Sequence, residues 1–404
     1  MSLVSAWALP GRRSRLELLA VVAIVAACQV SPRLETGEQP LAVLPLVTVD
    51  GMPFVSVQTD SAQAHLWLLD SGFETTVVNA RFADSLHVPT HTLRKTPAPG
   101  GYTDVGTAPG IPLHLGKVTF LPDSVDVVDL HEVEPLFGLP YAGILGHDFL
   151  LEYVVGIDYG KQRVELFAPR DFVYSGPGKS LPIWFEADQA FVLAFLHSSG
   201  RATPAKLKLD TGSLTALGLN GSFVQQTELV GESQHKIPAM GAALGGRVEA
   251  YVVRLDSIVL GEIVMQKPIA GYLVETERRG DAGTIGAPLL SRFNLVFDYA
   301  RSRLVVEPTA TSSDPMAYDA SGLLLAGTGR DYREVIVLSV DAGSPAAGAN
   351  IRPGDSLLSI DGVGVQELGL TRIRARLTQP GPVTLRLASN GTSRDVTLRL
   401  KDRL

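Results

Sequence analysis

The chain has 404 residues, 45% of them apolar and only 19% charged, with 40 glycines and 26 prolines. That balance excludes wholesale disorder, leaves length for about two to four domains, and favours a turn-rich, mainly β molecule. The net charge is −7 and no Lys/Arg cluster interleaves with aromatics, so a nucleic-acid partner is not expected.

Arg12, Arg13 and Arg15 precede an apolar run over residues 18–27, too short to span a bilayer comfortably. It ends Val25-Ala26-Ala27-Cys28, and Cys28 is the only cysteine. This resembles a bacterial lipobox. The resemblance implies a signal peptide over 1–27, lipidation of Cys28 and an exported, membrane-anchored lipoprotein. Gln29 follows the cysteine where no Asp stands. In such lipoproteins that implies the periplasmic face of the outer membrane, where the cell has two membranes. An ordinary signal peptide with an incidental cysteine, or an uncleaved anchor, is the alternative. Residues 1–27 take three Arg and one Glu with them, so the mature chain is near −9. With no second cysteine it relies on packing alone.

Residues 28–40 are polar and read as a tether. Strand-like runs at 41–49, 53–58 and 65–69 lead into Leu68-Leu69-Asp70-Ser71-Gly72. The same frame returns later in the chain as Lys208-Leu209-Asp210-Thr211-Gly212. At one and the same distance after each Asp comes a matched glycine, in Ala142-Gly143-Ile144-Leu145-Gly146 and Ala282-Gly283-Thr284-Ile285-Gly286. Laid without gaps on 282–307, residues 142–167 are identical at seven of 26 positions, enough to mark a duplication too long for a solenoid repeat. The first unit is expected over 41–174. Ser175-Gly176-Pro177-Gly178 marks the connection, and the second unit follows over 175–308. Residues 149–153 and 289–293 read as short helical turns.

One carboxylate per copy suggests a two-lobed site where Asp70 and Asp210 meet. Two carboxylates a few ångströms apart cannot both ionise cheaply, so the pair holds one proton. Its charged member then takes a proton from water while its protonated member donates to a carbonyl oxygen. Gly72 and Gly212 let each loop turn sharply. The Ser71 and Thr211 hydroxyls are placed to tie the loops together. Gly146 and Gly286 would let a neighbouring strand pass close behind. Asp158 and Asp298, in matched Asp-Tyr turns before Arg163 and Arg303, read as structural turns or ion pairs and not as catalytic acids. No His-Glu-Xaa-Xaa-His spacing occurs, so no metal and no cofactor is expected.

These triplets, glycine blocks and the duplication resemble an aspartic protease of the retropepsin-like branch, with two units fused into one chain. The resemblance covers about residues 41–308. It implies two duplicated β-barrel lobes with a cleft between them, a peptide or protein substrate, the dyad Asp70/Asp210 and a flap. Flap candidates are Gly101, Tyr102 and Gly241, the two glycines lying equally far past their Asp. The family's fourth loop residue is small, as in Ser213, and a hydroxyl there helps to stabilise a carboxylate anion. Phe73 cannot do this, which argues for a weakly acidic optimum. The alternatives are a non-catalytic peptide-binding scaffold on the same fold and a hydrolase of a non-protein amide.

Residues 309–317 form a small-polar linker, and 318–404 change character. Residues 343–364 contain Gly343-Ser344-Pro345-Ala346-Ala347 and Arg352-Pro353-Gly354-Asp355 before a strand and the turn Asp361-Gly362. This resembles the core of bacterial PDZ domains, a β fold with short helices. Residues 368–377 read as its amphipathic helix. The family's ligand is a C-terminal peptide, with a carboxylate loop that would fall at Ser321, Gly322, Leu323, Leu324 and Leu325. A packing module that binds nothing is the alternative.

Overall fold

The computed structural model describes residues 39–60, 63–98, 100–273 and 280–404. The signal peptide, most of the tether and Cys28 lie outside the described residues. Among those described, no helix is long and apolar enough to cross a membrane. The molecule is mainly β, in sheets of fifteen, ten and six strands.

The strand Ala64–Leu69 delivers Asp70. It runs antiparallel to Met52–Gln58 and parallel to Gly143–Leu145, with Leu68 opposite Ile144. In the second half Arg201–Asp210 runs antiparallel to Gln189–Ser198 and parallel to Gly283–Gly286, with Lys208 opposite Thr284. Every pair in the first parallel ladder has its counterpart in the second, displaced by the step that separates Asp70 from Asp210. Gly143–Leu145 is buried along its whole length, as a parallel strand covered on both faces requires. After the loop of Asp70 a short strand, Val77–Asn79, meets the helix Ala80–Ser85. The Asn79 side chain caps that helix by accepting the Arg81 amide.

The halves join through two strands, Val154–Asp158 and Phe293–Asp298. Val155 pairs with Phe297, Gly156 with Val296, and Ile157 with Leu295. The step from Asp70 to Asp210 also carries Gly156 onto Val296, its own partner, and exchanges the other two pairs. A two-fold axis of the repeat therefore passes between Gly156 and Val296. The flanking strands Arg163–Phe167 and Arg303–Pro308 complete this seam. Asp158 is buried beside Lys161 (3.5 Å) and Arg163 (3.7 Å), and Asp298 beside Arg301 (3.2 Å) and Arg303 (2.8 Å). Both aspartates thus fasten turns at the seam. The expected helical turns occur as His147–Glu152 and Ala287–Leu290, and the second is shorter than expected because Phe293 already begins a strand.

The C-terminal module has its own apolar core, including Leu325, Val337, Leu357, Ile373 and Leu385. Its strand order makes Leu323–Thr328 an edge. Ser344 caps the short helix Pro345–Gly348 by accepting the Ala347 amide. The helix Val365–Leu377 is broken at Gly369, with φ 71° and ψ 161°, so its regular part starts at Leu370. Leu370, Ile373 and Leu377 face the core at a spacing of three and four. The small-polar stretch 309–317 is stapled to the second half. Arg292 Nη2 donates to the carbonyls of Thr311 (2.6 Å) and Asp314, Thr309 Oγ1 donates to Arg292 O (2.7 Å), and Arg254 Nη1 donates to Met316 O (2.8 Å). Carbonyls of a small-polar stretch are open acceptors, and two guanidinium groups take them.

Candidate functional site

The two Asp-Xaa-Gly loops interlock. The Ser71 amide donates to Thr211 Oγ1 (3.0 Å), and the Thr211 amide donates to Ser71 Oγ (3.2 Å). Thr211 Oγ1 in turn donates to Leu69 O (2.7 Å), so each loop is braced by its repeat-related counterpart. The glycines bring the carboxylates together. A Cβ on Gly72 would fall 2.4 Å from Asp210 Cγ, and one on Gly212 would fall 2.0 Å from Asp70 Oδ2. Each carboxylate therefore lies over the glycine of the opposite loop, in space only a residue without a side chain leaves open. Gly146 and Gly286 back this arrangement. A Cβ on the first would meet Thr75 O at 2.3 Å and on the second Thr215 O at 2.0 Å, again at matched positions of the two halves. The His147 amide donates to Phe73 O and the Ala287 amide to Ser213 O, both at 3.0 Å, which pins the far side of each loop.

The electrostatics of the two acids differ. Asp70 is buried, and its carboxyl is pushed up to about 8, first by desolvation and then by the charge of Asp210. The Gly72 amide, donating to Asp70 Oδ1 at 2.8 Å, and the Lys208 ammonium pull the other way. Near neutral pH the pair thus holds a proton on Asp70. Lys208 Nζ stands 3.3 Å from Asp210 Oδ2 and donates to Gly72 O at 3.3 Å. Burial alone would depress this ammonium, but Asp210 and Asp70 outweigh it and raise it, so Lys208 stays charged. Sequence reasoning passed over Lys208. The available signal was its place two residues before Asp210 on a strand, which puts both side chains on one face. The repeat-related residue in the first half, Leu68, is apolar and buried.

The fourth loop residues differ in what they touch. Ser213 Oγ accepts the Thr215 amide (3.2 Å), so this hydroxyl shapes its own loop. Phe73 joins an apolar cluster with Leu214 and Leu244.

Two hairpins, one per half, face each other. The first pairs His91–Ala98 with Gly101–Pro109, and the second pairs Lys236–Ala243 with Gly246–Arg254. Their tips touch, the Gly100 amide donating to Leu244 O (2.9 Å), and beside them the Gly245 amide donates to Glu132 Oε2 (3.2 Å), outside both hairpins. A Cβ on Gly101 would lie 2.9 Å from Gly245 O, which places Gly101 in this contact. Gly241 is not its counterpart. It sits on the ascending strand opposite Val248, before the tip. Residues 228–235 are a longer connection than residues 86–90, so equal counting from each Asp slips out of register. Tyr102 pairs with Pro97 and is 69% exposed, so its ring does not reach inward as a flap tyrosine would.

In the C-terminal module the Gly322 backbone has φ +80°, and a Cβ there would fall 2.2 Å from Ser344 Cβ. Gly322 thus forms the tight entry to the edge strand that carries Leu323, Leu324 and Leu325. Residues 319–388 match the family model of the PDZ domain. The module is a PDZ domain. No curated protein matches the chain. A PDZ domain binds peptides by adding them as a strand to an exposed sheet edge. Here Leu323–Thr328 is the edge strand of its sheet, beside the helix Val365–Leu377. The loop amides are already engaged: those of Ser321 and Gly322 donate to the Asp319 carboxylate, and that of Leu323 to Ser321 Oγ (3.1 Å).

Proposed function

We propose that the chain is an exported, lipid-anchored aspartic endopeptidase built on two retropepsin-like lobes, with its PDZ domain as a peptide-binding module. The observation that carries the reading is the reciprocal grip of Ser71 and Thr211, which sets each carboxylate over the opposite glycine. A binding scaffold has no need for two acids forced together with one of them buried, since their repulsion is a cost. In the proposed reaction a water lies between the acids. The Asp210 carboxylate takes one of its protons as the water oxygen bonds to the scissile carbonyl carbon. Asp70 gives its proton to the carbonyl oxygen, which yields a neutral diol. The carbon–nitrogen bond then breaks, the leaving amine takes the proton from Asp210, and a diol hydroxyl returns one to Asp70. The chemistry needs no covalent intermediate and no cofactor.

The test is cleavage of a peptide library at several pH values, read by mass spectrometry, with wild type beside Asp210→Asn. Cleavage by the variant at the wild-type rate excludes the mechanism. A wild type inactive on every peptide shifts the reading to a peptide-binding scaffold. Anchoring through Cys28 is tested separately. Cys28→Ser is expected to release the protein from the membrane fraction or leave it unprocessed, and unchanged processing and membrane association overturn that part.

A further inference from the structure

The PDZ groove is not open to solvent along its length. Gly138 of the first half sits inside it. A Cβ on Gly138 would fall 2.9 Å from Leu370 Cβ on the groove's helix, and the ideal Cβ of Gly327 on the edge strand lies 3.1 Å from Gly138 Cα. Gly138 therefore stands between helix and strand, where an added peptide strand would run. It is the left-handed cap, φ 69°, of the short helix Glu134–Phe137. Two polar contacts hold the groove against the first half, one of them to this helix. Tyr332 of the PDZ domain donates its hydroxyl to Glu134 Oε2 (2.6 Å). Arg374, on the groove helix, donates from Nη2 to Leu325 O on the edge strand (2.9 Å) and from Nη1 to Asp50 of the first half. At the loop end, Asp319 supplies the carboxylate that the Ser321 and Gly322 amides bind. The chain itself thus fills both the strand position and the carboxylate position.

The same segment reaches the hairpins. Glu132, at the end of the turn Leu130–Glu132, accepts the Gly245 amide at the tip of the second hairpin. Glu134 is buried and also accepts from Asn79 Nδ2 (3.0 Å), on the strand that follows the loop of Asp70. Leu136 and Phe137 lie in the apolar cluster that includes Phe73, Leu214 and Leu244. One short stretch, residues 130–138, therefore touches the PDZ groove at one end and a hairpin tip at the other.

We infer that the PDZ groove is held shut by residues 130–138 and Asp50 of the first half, and that a peptide with a free carboxyl terminus binds by parting these contacts and so loosens the second hairpin. Its consequence for turnover rests on the endopeptidase reading, whereas its binding arm does not. Opening separates Gly138 from Leu370, frees Arg374 from Asp50, and removes the Tyr332 support from Glu134. Residues 130–138 then lose the surface they rest on, and the Glu132–Gly245 contact goes with it. The sign is defined: ligand and first half compete for one groove, so weakening either contact raises ligand affinity.

The experiment uses the mature full chain, wild type and the double variant Asp50→Asn/Tyr332→Phe. Both changes keep side-chain shape, and neither touches the dyad. The probes are fluorescent decapeptides ending in free Ala, Val, Leu or Phe, each matched with its C-terminal amide. At least one free-carboxylate peptide is expected to bind the double variant about tenfold more tightly than wild type, with the amide weaker on both. Saturating wild type with that peptide is expected to speed amide hydrogen exchange over 130–138 and at 244–246. Equal affinity in the two proteins, no exchange change at 130–138, or no binding of any probe to the double variant overturns the gate. If affinity and exchange respond while no substrate is cut, the endopeptidase reading fails and the gate stands. If peptides are cut while neither responds, the reverse holds.

Discussion

The loop of Asp70 and the loop of Asp210 follow one backbone course, yet buried Leu68 precedes the first acid and Lys208 the second. Asp70 is deep, takes its own loop's Gly72 amide and is pushed up to about 8. Asp210 has an ammonium at 3.3 Å. The repeat supplies the geometry and the divergence supplies the asymmetry. A shared-proton pair needs both, because identical surroundings do not decide which member holds the proton. Here burial favours the neutral form of Asp70, and the Lys208 ammonium stands beside Asp210.

The largest effect should come from removing either acid. Asp70→Asn and Asp210→Asn are each expected to lower kcat by at least about 10³-fold, with the double variant little worse, because paired groups act as one unit. Additive losses in the double variant would show that the acids work independently. Stability separates the two. The Asp70 carboxyl is raised in the folded protein, so the folded state binds the extra proton. Its stability contribution is fully present below about 4, the unfolded value, and is lost as pH rises through about 8. Asp70→Asn should therefore leave Tm unchanged near pH 4 and raise it by several degrees near pH 8. Equal Tm shifts at both pH values would remove the assigned asymmetry.

The glycines come next. Gly212→Ala would set a Cβ 2.0 Å from Asp70 Oδ2, and Gly72→Ala one 2.4 Å from Asp210 Cγ. Each should displace the opposite carboxylate, at a cost of about 10²-fold in kcat/KM, since an ångström of misplacement is worth that much. Gly348→Ala, with nothing within 4 Å of its Cβ and no left-handed backbone to strain, is the control and should keep full activity on short peptides. Near-wild-type turnover in Gly212→Ala would mean the carboxylates are not held as closely as the loops imply.

These features divide sharply in how far the sequence exposed them. The repeat step showed in Asp70/Asp210 and Gly146/Gly286, because a carboxylate over a glycine and a strand passing behind one tolerate few substitutions. The seam aspartates were legible through the arginines that follow them in the same turns. Lys208 was not, since its meaning depends on two alternate positions sharing a strand face. The hairpin register slipped because the extra residues of 228–235 precede it and leave no mark on the glycine count. Nothing in Glu134-Pro135-Leu136-Phe137-Gly138 announces that it fills a groove formed by a distant part of the chain. Such contacts exist only once the chain has folded.

Exchanging the asymmetric pair is a finer test. Lys208 lowers the Asp70 carboxyl, so Lys208→Met removes that pull and moves the alkaline limb of the kcat/KM profile to higher pH. The first ionisation of the pair occurs beside the same ammonium, so the acid limb should move up as well. The groups acting here are Asp70, Asp210 and Asp281 on Lys208, with buried Tyr141 and Tyr299 near Asp70. The expected outcome is an upward move of the profile with a modest loss at the optimum. A fall in rate at every pH with an unchanged profile would make Lys208 a packing residue.

The smallest effect concerns the grip itself, where the halves again differ. Thr211 Oγ1 accepts the Ser71 amide and donates to Leu69 O, both buried bonds, while Ser71 Oγ accepts the Thr211 amide. Thr211→Val keeps the shape, removes the hydroxyl and leaves a buried amide and a buried carbonyl without it, at a cost of about 2 kcal/mol. Ser71→Ala strands the Thr211 amide and should cost about 1 kcal/mol. Denaturant unfolding at a pH where both acids stay in one state gives the two values, and the ratio matters more than either. A larger loss for Ser71→Ala would mean that the first loop, not the second, carries the brace. If both losses are near zero while turnover falls, the hydroxyls position the carboxylates without stabilising the fold. That would place the grip in the chemistry of the site.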